Sequence, residues 1–177
     1  LDEELNELIN LYRNSKLPNK ILLSGEKGIG KCTLAYHLIN YVLSSNEENP
    51  YNTNDLQINT DNRSFKLIQN NSNPNFNLID VNSEKKSIEI NQIRSLINNL
   101  NKSSFNLKPR FILIDNIEFL NVNSINALLK ILEEPNENTY FILINNNKKI
   151  LSTLLSRCLN FKISLSNEKV SLVNKLL

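Results

Sequence analysis

The stretch Gly25-Glu26-Lys27-Gly28-Ile29-Gly30-Lys31 decides the fold of this 177-residue chain. It follows the apolar run Ile21-Leu22-Leu23, whose short and unbroken hydrophobic character is typical of a buried strand. After the glycines, apolar side chains recur at helical spacing at Leu34, Leu38, Ile39 and Val42. A glycine-bearing loop between a strand and a helix is the context that a phosphate-binding P-loop requires. The sequence therefore predicts a strand, a P-loop and a helix in succession.

Each part of this loop has a physical role in holding a phosphate. All of the glycines in the chain lie here, and glycine lets backbone N–H groups turn inward around an anion. The N-terminus of the following helix adds partial positive charge, and Lys31 adds a full charge for the β- and γ-phosphates. The candidate nucleotide-binding residues of this segment are Gly25, Gly28, Ile29, Gly30, Lys31, Cys32 and Thr33.

The position after the lysine departs from the P-loop pattern. A P-loop has Ser or Thr there because the hydroxyl binds Mg²⁺, whereas this chain has Cys32. A thiol is a soft and poor ligand for a hard cation, and Thr33 is one residue out of register for the metal. We therefore expect that ATP or ADP binding can survive while metal-assisted hydrolysis is compromised. We assign no metal ligands.

A second motif, Phe111-Ile112-Leu113-Ile114-Asp115-Asn116, is an apolar strand that ends in Asp. This is the Walker B pattern, in which the Asp holds the Mg²⁺ shell. In hydrolysing proteins of this class a Glu follows the Asp and polarises the attacking water, but Asn116 cannot accept a proton. Glu118 lies two residues further on, and we expect it to point differently from Asn116. Two altered positions in one site argue against a working ATPase.

Apolar runs and helical stripes alternate along the rest of the chain, which is the pattern of a parallel sheet covered by helices. The further strand candidates are Phe76 to Val81, Phe111 to Ile114, Tyr140 to Ile144 and Cys158 to Ile163. Helices are predicted around residues 64–69, 90–100, 122–132 and 149–155. The fold class is therefore predicted to be α/β, with a five-stranded parallel sheet flanked by helices.

Composition excludes several classes of protein. The apolar fraction of 40% is enough for a core, and no run of about 18 apolar residues predicts a membrane span. The net charge of +2 does not by itself indicate nucleic-acid binding. Cys32 and Cys158 form neither a disulfide framework nor a zinc site, so we expect a reducing cytoplasm. Because the chain begins with Leu1 and lacks Met, we expect its true start to be absent.

A third motif consists of two separate segments. Asn126-Ala127-Leu128-Leu129-Lys130-Ile131-Leu132-Glu133-Glu134-Pro135, followed later by Ser156-Arg157-Cys158, resembles the clamp-loader branch of the AAA+ ATPases. In that branch the Arg reaches across a subunit boundary to the γ-phosphate bound by a neighbour, and such a finger is worth about 10³ to 10⁵ in rate. The resemblance implies this role for Arg157, which alone would be interpreted as a surface ion pair. Glu133 and Glu134 would pair with a neighbouring subunit or form a solvated helix end.

Within this branch the chain resembles delta prime subunits more than the tau/gamma motor. The segments that carry this likeness are Ser15 to Leu23, Asn73 to Asn75 and Ile90 to Arg94, within a resemblance that covers residues 8–165. The motor subunits keep the intact Lys-Thr and Asp-Glu pairs, which this chain lacks. The resemblance implies a RecA-like AAA+ domain over residues 1–165 with strand order 5-1-4-3-2, and the start of a helical lid at 166–177.

The implied function is a stator of the DNA polymerase III clamp loader. Such a subunit would sit beside tau/gamma motor subunits and the delta subunit, and would help to load the sliding clamp on primed DNA. Its own P-loop would bind ATP or ADP as a structural ligand, or no nucleotide. Asn145 or Asn146 would be a γ-phosphate sensor, or would belong to an ordinary polar loop at the end of a strand. No zinc is expected, because Ser44 to Ser72 lacks the cysteines common in the family. Alternatives are a hydrolysing tau/gamma-like motor and another AAA+ P-loop adaptor.

Overall fold

The computed structural model describes residues 1–81, 86–101 and 106–164, so the predicted lid segment at 166–177 lies outside the described residues. The helices are α1 Asp2–Arg13, α2 Lys31–Leu43, α3 Arg63–Gln69, α4 Ile90–Leu100, α5 Val122–Glu133 and α6 Ser152–Leu155. The strands are β1 Lys20–Ser24, β2 Phe76–Ile79, β3 Arg110–Ile114, β4 Thr139–Asn145 and β5 Leu159–Lys162. A short 3₁₀ helix, Ile117–Phe119, follows β3.

The strands form one five-stranded sheet in the order β2-β3-β4-β1-β5. Every neighbouring pair is parallel, and β1 lies between β4 and β5, with Ile21 opposite both Ile142 and Leu159. This is the order that the AAA+ resemblance implied, and the α/β class and five parallel strands are confirmed. Since all strands run the same way, their carboxyl ends meet at one edge of the sheet and their amino ends at the other.

Helices cover both faces of the sheet, and the central strands divide their side chains between two cores. Ile21 and Leu23 of β1 join the core beneath α1 and α2, whereas Leu22 joins the core beneath α4 and α5. This alternation follows from the two-residue period of a strand. Burial on both faces explains why these strands are almost entirely apolar.

The predicted elements differ from the observed ones mainly at their ends. Strand β2 ends at Ile79 instead of Val81, β5 occupies Leu159–Lys162, and α6 is one short turn. Helix α1 was not predicted, although its buried residues Leu5, Leu8 and Ile9 have helical spacing. In the described part of the chain, no helix has both the length and the apolar character needed to cross a membrane.

Buried polar side chains hold the long connection between α2 and β2. Asn40 and Asn62 are each 1% exposed, and their amides hydrogen-bond reciprocally over 3.0 and 3.2 Å. Asn62 Oδ1 also accepts the N–H of Phe65 and so caps α3. The Glu47 carboxylate accepts both the backbone N–H and the hydroxyl of Ser64. We call Asn40, Asn62, Glu47 and Ser64 the polar clasp; it fixes α3 against α2.

Candidate functional site

The candidate nucleotide site lies at the carboxyl edge of the sheet. The P-loop connects the end of β1 to α2, and the Gly25 N–H donates to the Asn145 carbonyl at the end of β4 over 3.3 Å. Asp115 follows β3, and its N–H donates to the Ile79 carbonyl of β2 over 2.9 Å. The ends of four neighbouring strands therefore meet at this position, which is where ligands bind in open parallel sheets.

The loop needs its glycines for conformation and for space. Gly28 and Gly30 have φ angles of 85° and 92°, in the left-handed region that favours glycine, and Gly30 begins the helix α2. A Cβ added at Gly25 would lie 2.3 Å from the Ile163 carbonyl oxygen, which is closer than atoms can approach. A Cβ at Gly28 would meet open space. The backbone geometry and the helix N-terminus together fit a bound phosphate.

Lys31 is folded back onto the loop that precedes it. The residue is only 3% exposed, and its ammonium donates to the carbonyl oxygens of Gly25, at 3.0 Å, and of Glu26. Burial lowers the pKa of Lys31, and the nearby negative charges of Asp115 and Glu118 act in the opposite direction. Binding a phosphate through Lys31 would exchange these two carbonyl acceptors for phosphate oxygens.

Cys32 lies against the Walker B aspartate. Burial, followed by the negative charges of Asp115 and Asp80, raises the pKa of the Cys32 thiol to about 12. Cys32 is therefore neutral at physiological pH and presents a soft sulfur where a P-loop has a hydroxyl oxygen. Burial also raises the pKa of Asp115, although the hydrogen bond from the Asn116 N–H opposes this shift.

An amide network surrounds the position where the Walker B glutamate would stand. The Asn116 amide donates to Asp80 over 2.8 Å. The Asn146 amide donates both to Asn116 Oδ1, over 2.7 Å, and to Glu118 Oε1, over 2.9 Å. Asn116 and Glu118 therefore contact the same side chain, and the expectation that they point differently is wrong. Strand geometry ends at Ile114, and the left-handed Asn116 turns the chain into the 3₁₀ helix that carries Glu118.

Sequence reasoning did not identify Asp80 as part of this site. A signal was present, because Phe76-Asn77-Leu78-Ile79-Asp80 repeats the pattern of Phe111-Ile112-Leu113-Ile114-Asp115. In the sheet these two runs are in register from Phe76 opposite Phe111 to Ile79 opposite Ile114. The two aspartates consequently follow neighbouring strand ends. Asp80 then contacts Asn116 directly.

The remaining candidate residues are Asn145, Asn146, Thr33 and Ile29. Asn145 is 6% exposed, and its side chain closes a turn by donating to the Lys148 carbonyl, so Asn146 is the sensor candidate that faces the network. Thr33 is exposed on α2, and Ile29 packs against the core. Their roles in nucleotide binding stay predictions. No group of three or more His, Cys, Asp or Glu side chains in residues 1–81, 86–101 and 106–164 is arranged to hold a metal.

Arg157 lies at the opposite edge of the sheet. It precedes β5, whose first residue Leu159 pairs with Ile21, whereas the P-loop follows Ser24 at the other end of β1. At ~3.3 Å per residue the length of β1 separates the two edges by about 13 Å. Arg157 Nη2 donates to Glu133 Oε1 over 2.6 Å, and Nη1 donates to the Thr153 carbonyl over 3.0 Å. Arg157 therefore faces away from the phosphate loop of its own chain.

Comparison with known proteins shows which family this sequence belongs to. The profile of the family described as "DNA polymerase III, delta subunit" matches residues 2–167. The chain belongs to this family. A DNA polymerase III subunit delta' of Buchnera aphidicola (subsp. Schizaphis graminum) is 32% identical over 94% of this chain and 49% of its own length. The gamma/tau subunit of Mycoplasma genitalium is 31% identical over 87% of this chain and 24% of its own length.

The family's fold is also found among solved structures. A DNA polymerase III gamma subunit-related protein of Thermotoga maritima superposes with a TM-score of 0.62 at 21% identity, over 95% of this chain and 49% of that one. This likeness supports the AAA+-type fold that the family resemblance implied. The chain spans about half the length of the delta' relatives that it matches.

Proposed function

We propose that residues 1–165 form the AAA+-type domain of a delta prime-type clamp-loader subunit that acts as a stator. In this role the domain supplies Arg157 to ATP bound by an adjacent motor subunit and leaves hydrolysis to that subunit. The observation that carries the proposal is the location of Arg157 at the sheet edge opposite its own P-loop. From this place Arg157 faces away from a phosphate bound at its own P-loop, which supports contact with a phosphate presented by another chain.

The partners follow from the same proposal. They are tau/gamma motor subunits and a delta subunit, with the sliding clamp and primed DNA engaged through the assembled complex of the DNA polymerase III holoenzyme. Relatives named delta' and gamma/tau support this assignment to a multi-subunit complex. The role would be to help load the clamp during DNA replication.

The domain's own P-loop would bind ATP or ADP as a structural ligand. The left-handed Gly28 and Gly30 and the N-terminus of α2 support phosphate binding. Slow or absent hydrolysis is supported by the neutral thiol of Cys32 and by Asn116, which cannot accept a proton from water. Bound nucleotide would therefore stabilise the folded domain and would not drive a cycle of ATP hydrolysis.

The test is DNA- and clamp-stimulated ATP hydrolysis by a clamp loader reconstituted with the full-length subunit. Arg157→Ala should reduce the rate by about 10³-fold or more if every active site depends on this finger, and by less if only one site does. Lys31→Ala should change the rate little. A severe loss in Lys31→Ala with a normal rate in Arg157→Ala would reject the stator proposal.

A tau/gamma-like hydrolysing motor is the second candidate. The observation that favours it is the Glu118 carboxylate, which hydrogen-bonds to Asn146 beside Asn116 and so places a carboxylate in the candidate site. This function predicts Mg²⁺-dependent turnover that is lost in Lys31→Ala and in Glu118→Gln. Turnover that is unchanged in both variants would exclude it.

A further inference from the structure

Glu133 holds the guanidinium of Arg157 in a defined orientation. The two side chains approach to 2.6 Å, and Thr153 fixes a second nitrogen of the same guanidinium through its carbonyl. Arg157 therefore has two anchors, one from the end of α5 and one from α6. The side chain is 31% exposed, so it is oriented while it remains accessible to another molecule.

The helix end that carries Glu133 is itself fixed to the sheet. Leu132 is fully buried, and its carbonyl accepts a hydrogen bond from Lys20 Nζ over 3.0 Å. Lys20 begins β1, and Pro135 follows the end of α5. Glu133 thus stands on a rigid support at the amino edge of the sheet, which is the arrangement that keeps a functional side chain in place.

Stability alone does not explain this ion pair. Glu133 is 54% exposed, and ion pairs between exposed side chains contribute little to folding because solvent screens them. Ordering a free arginine costs side-chain entropy, and a contact that orders it before docking removes this cost from the docking step. The ion pair is therefore better suited to ordering Arg157 before docking than to stabilising the fold.

The geometry also leaves Arg157 able to bind a second anion. A guanidinium has five N–H donors, and the hydrogen bonds to Glu133 and Thr153 use two of them. Three donors remain for phosphate oxygens. Glu133 consequently orients Arg157 without occupying its whole binding face.

We propose that Glu133 is a positioning residue for Arg157, holding the guanidinium in the orientation in which it meets a phosphate bound by a neighbouring subunit. This inference rests on the proposed stator function. Glu133 does not touch the nucleotide and acts only through Arg157. Its neighbour Glu134 is also exposed at the end of α5 and provides a matched control.

The test measures kcat and KM for ATP in the reconstituted clamp loader containing the full-length subunit. Glu133→Ala should lower kcat roughly 10- to 100-fold, the effect of a misplaced catalytic group, and leave KM nearly unchanged. Glu133→Gln, which keeps an oxygen acceptor, should retain most of the rate, and Glu134→Ala should behave like the wild type. In an Arg157→Ala background, Glu133→Ala should cause no further loss.

Other outcomes separate the inference from the function on which it rests. A normal or faster rate in Glu133→Ala, together with a slow Arg157→Ala, would overturn the positioning role and leave the stator proposal intact. A normal rate in Arg157→Ala would reject both. If Glu133→Ala fails to fold, Glu133→Arg in a folded complex decides: a rate no slower than that of Glu134→Arg would overturn the inference.

Discussion

Side chains in the P-loop separate two properties that usually occur together, phosphate binding and metal binding. The glycines and Lys31 have the conformation and charge for a phosphate. Cys32 lies near Asp115 as a neutral thiol, so the two Walker motifs remain neighbours while the oxygen ligand is lost. A single exchange of sulfur for oxygen should therefore restore a preference for the magnesium complex of ATP.

Cys32→Thr is expected to raise the affinity for ATP about tenfold in the presence of Mg²⁺, or ~1.4 kcal/mol. The new hydroxyl lies near Asp115 and offers a hard oxygen to the cation. Titration calorimetry with Mg²⁺ and with a chelator measures the difference, which should vanish without the metal. Cys158→Ser, at the other half-buried thiol, is the control. An equal gain in ATP affinity in both variants, or a gain that persists in chelator, would contradict the explanation that the hydroxyl binds Mg²⁺.

Sequence alone placed the residues whose position in the candidate site depends on local pattern and missed those whose position depends on register. Lys31 and Asp115 were predictable because a strand and a glycine loop, or a strand and its terminal Asp, are adjacent in the chain. Asp80 required knowledge that β2 and β3 are neighbours in register. Glu118 required the left-handed turn at Asn116, which strand periodicity does not predict.

Among the secondary-structure elements, the strands were the most predictable and the connection between α2 and β2 the least. Unbroken apolar runs such as Phe111 to Ile114 can satisfy burial on both faces only as central strands. The polar clasp has no such signature, because Asn40 and Asn62 are distant in sequence and asparagine occurs throughout the chain. Their importance follows from burial, which leaves neither amide an alternative partner in water.

Asn62→Ala is expected to lower the free energy of unfolding by about 2 to 4 kcal/mol. The substitution leaves the buried Asn40 amide without its partner, at about 1 to 3 kcal/mol, and removes the cap of α3, at about 1 kcal/mol. Urea denaturation measures the change. Asn70→Ala at the exposed end of α3 is the matched control and should be nearly neutral. A clasp without energetic importance would give equal, small losses in the two variants.

At the scale of the whole domain, the sites of the two proposed functions lie at opposite edges of the parallel sheet. Nucleotide binding belongs to the carboxyl edge, where β1, β3 and β4 end. Action on a neighbour belongs to the amino edge, where Arg157 precedes β5. The apolar pattern predicted five strands but not their order, which came from the family resemblance, because runs of similar hydrophobicity do not specify which strands pair. The parallel strands place the P-loop and Arg157 at opposite edges of this sheet.

This separation predicts that Lys31→Ala and Arg157→Ala act independently on ATP hydrolysis by the reconstituted clamp loader. Sites farther apart than about 10 Å with no shared partners usually have additive free energies within ~0.5 kcal/mol. The double variant should therefore lose a factor equal to the product of the single losses, to within about twofold. Arg157 with Glu133 provides the contrast, since these side chains touch and should not be additive. A strong departure from the product for Lys31 and Arg157 would show that nucleotide bound at one edge controls the arginine at the other.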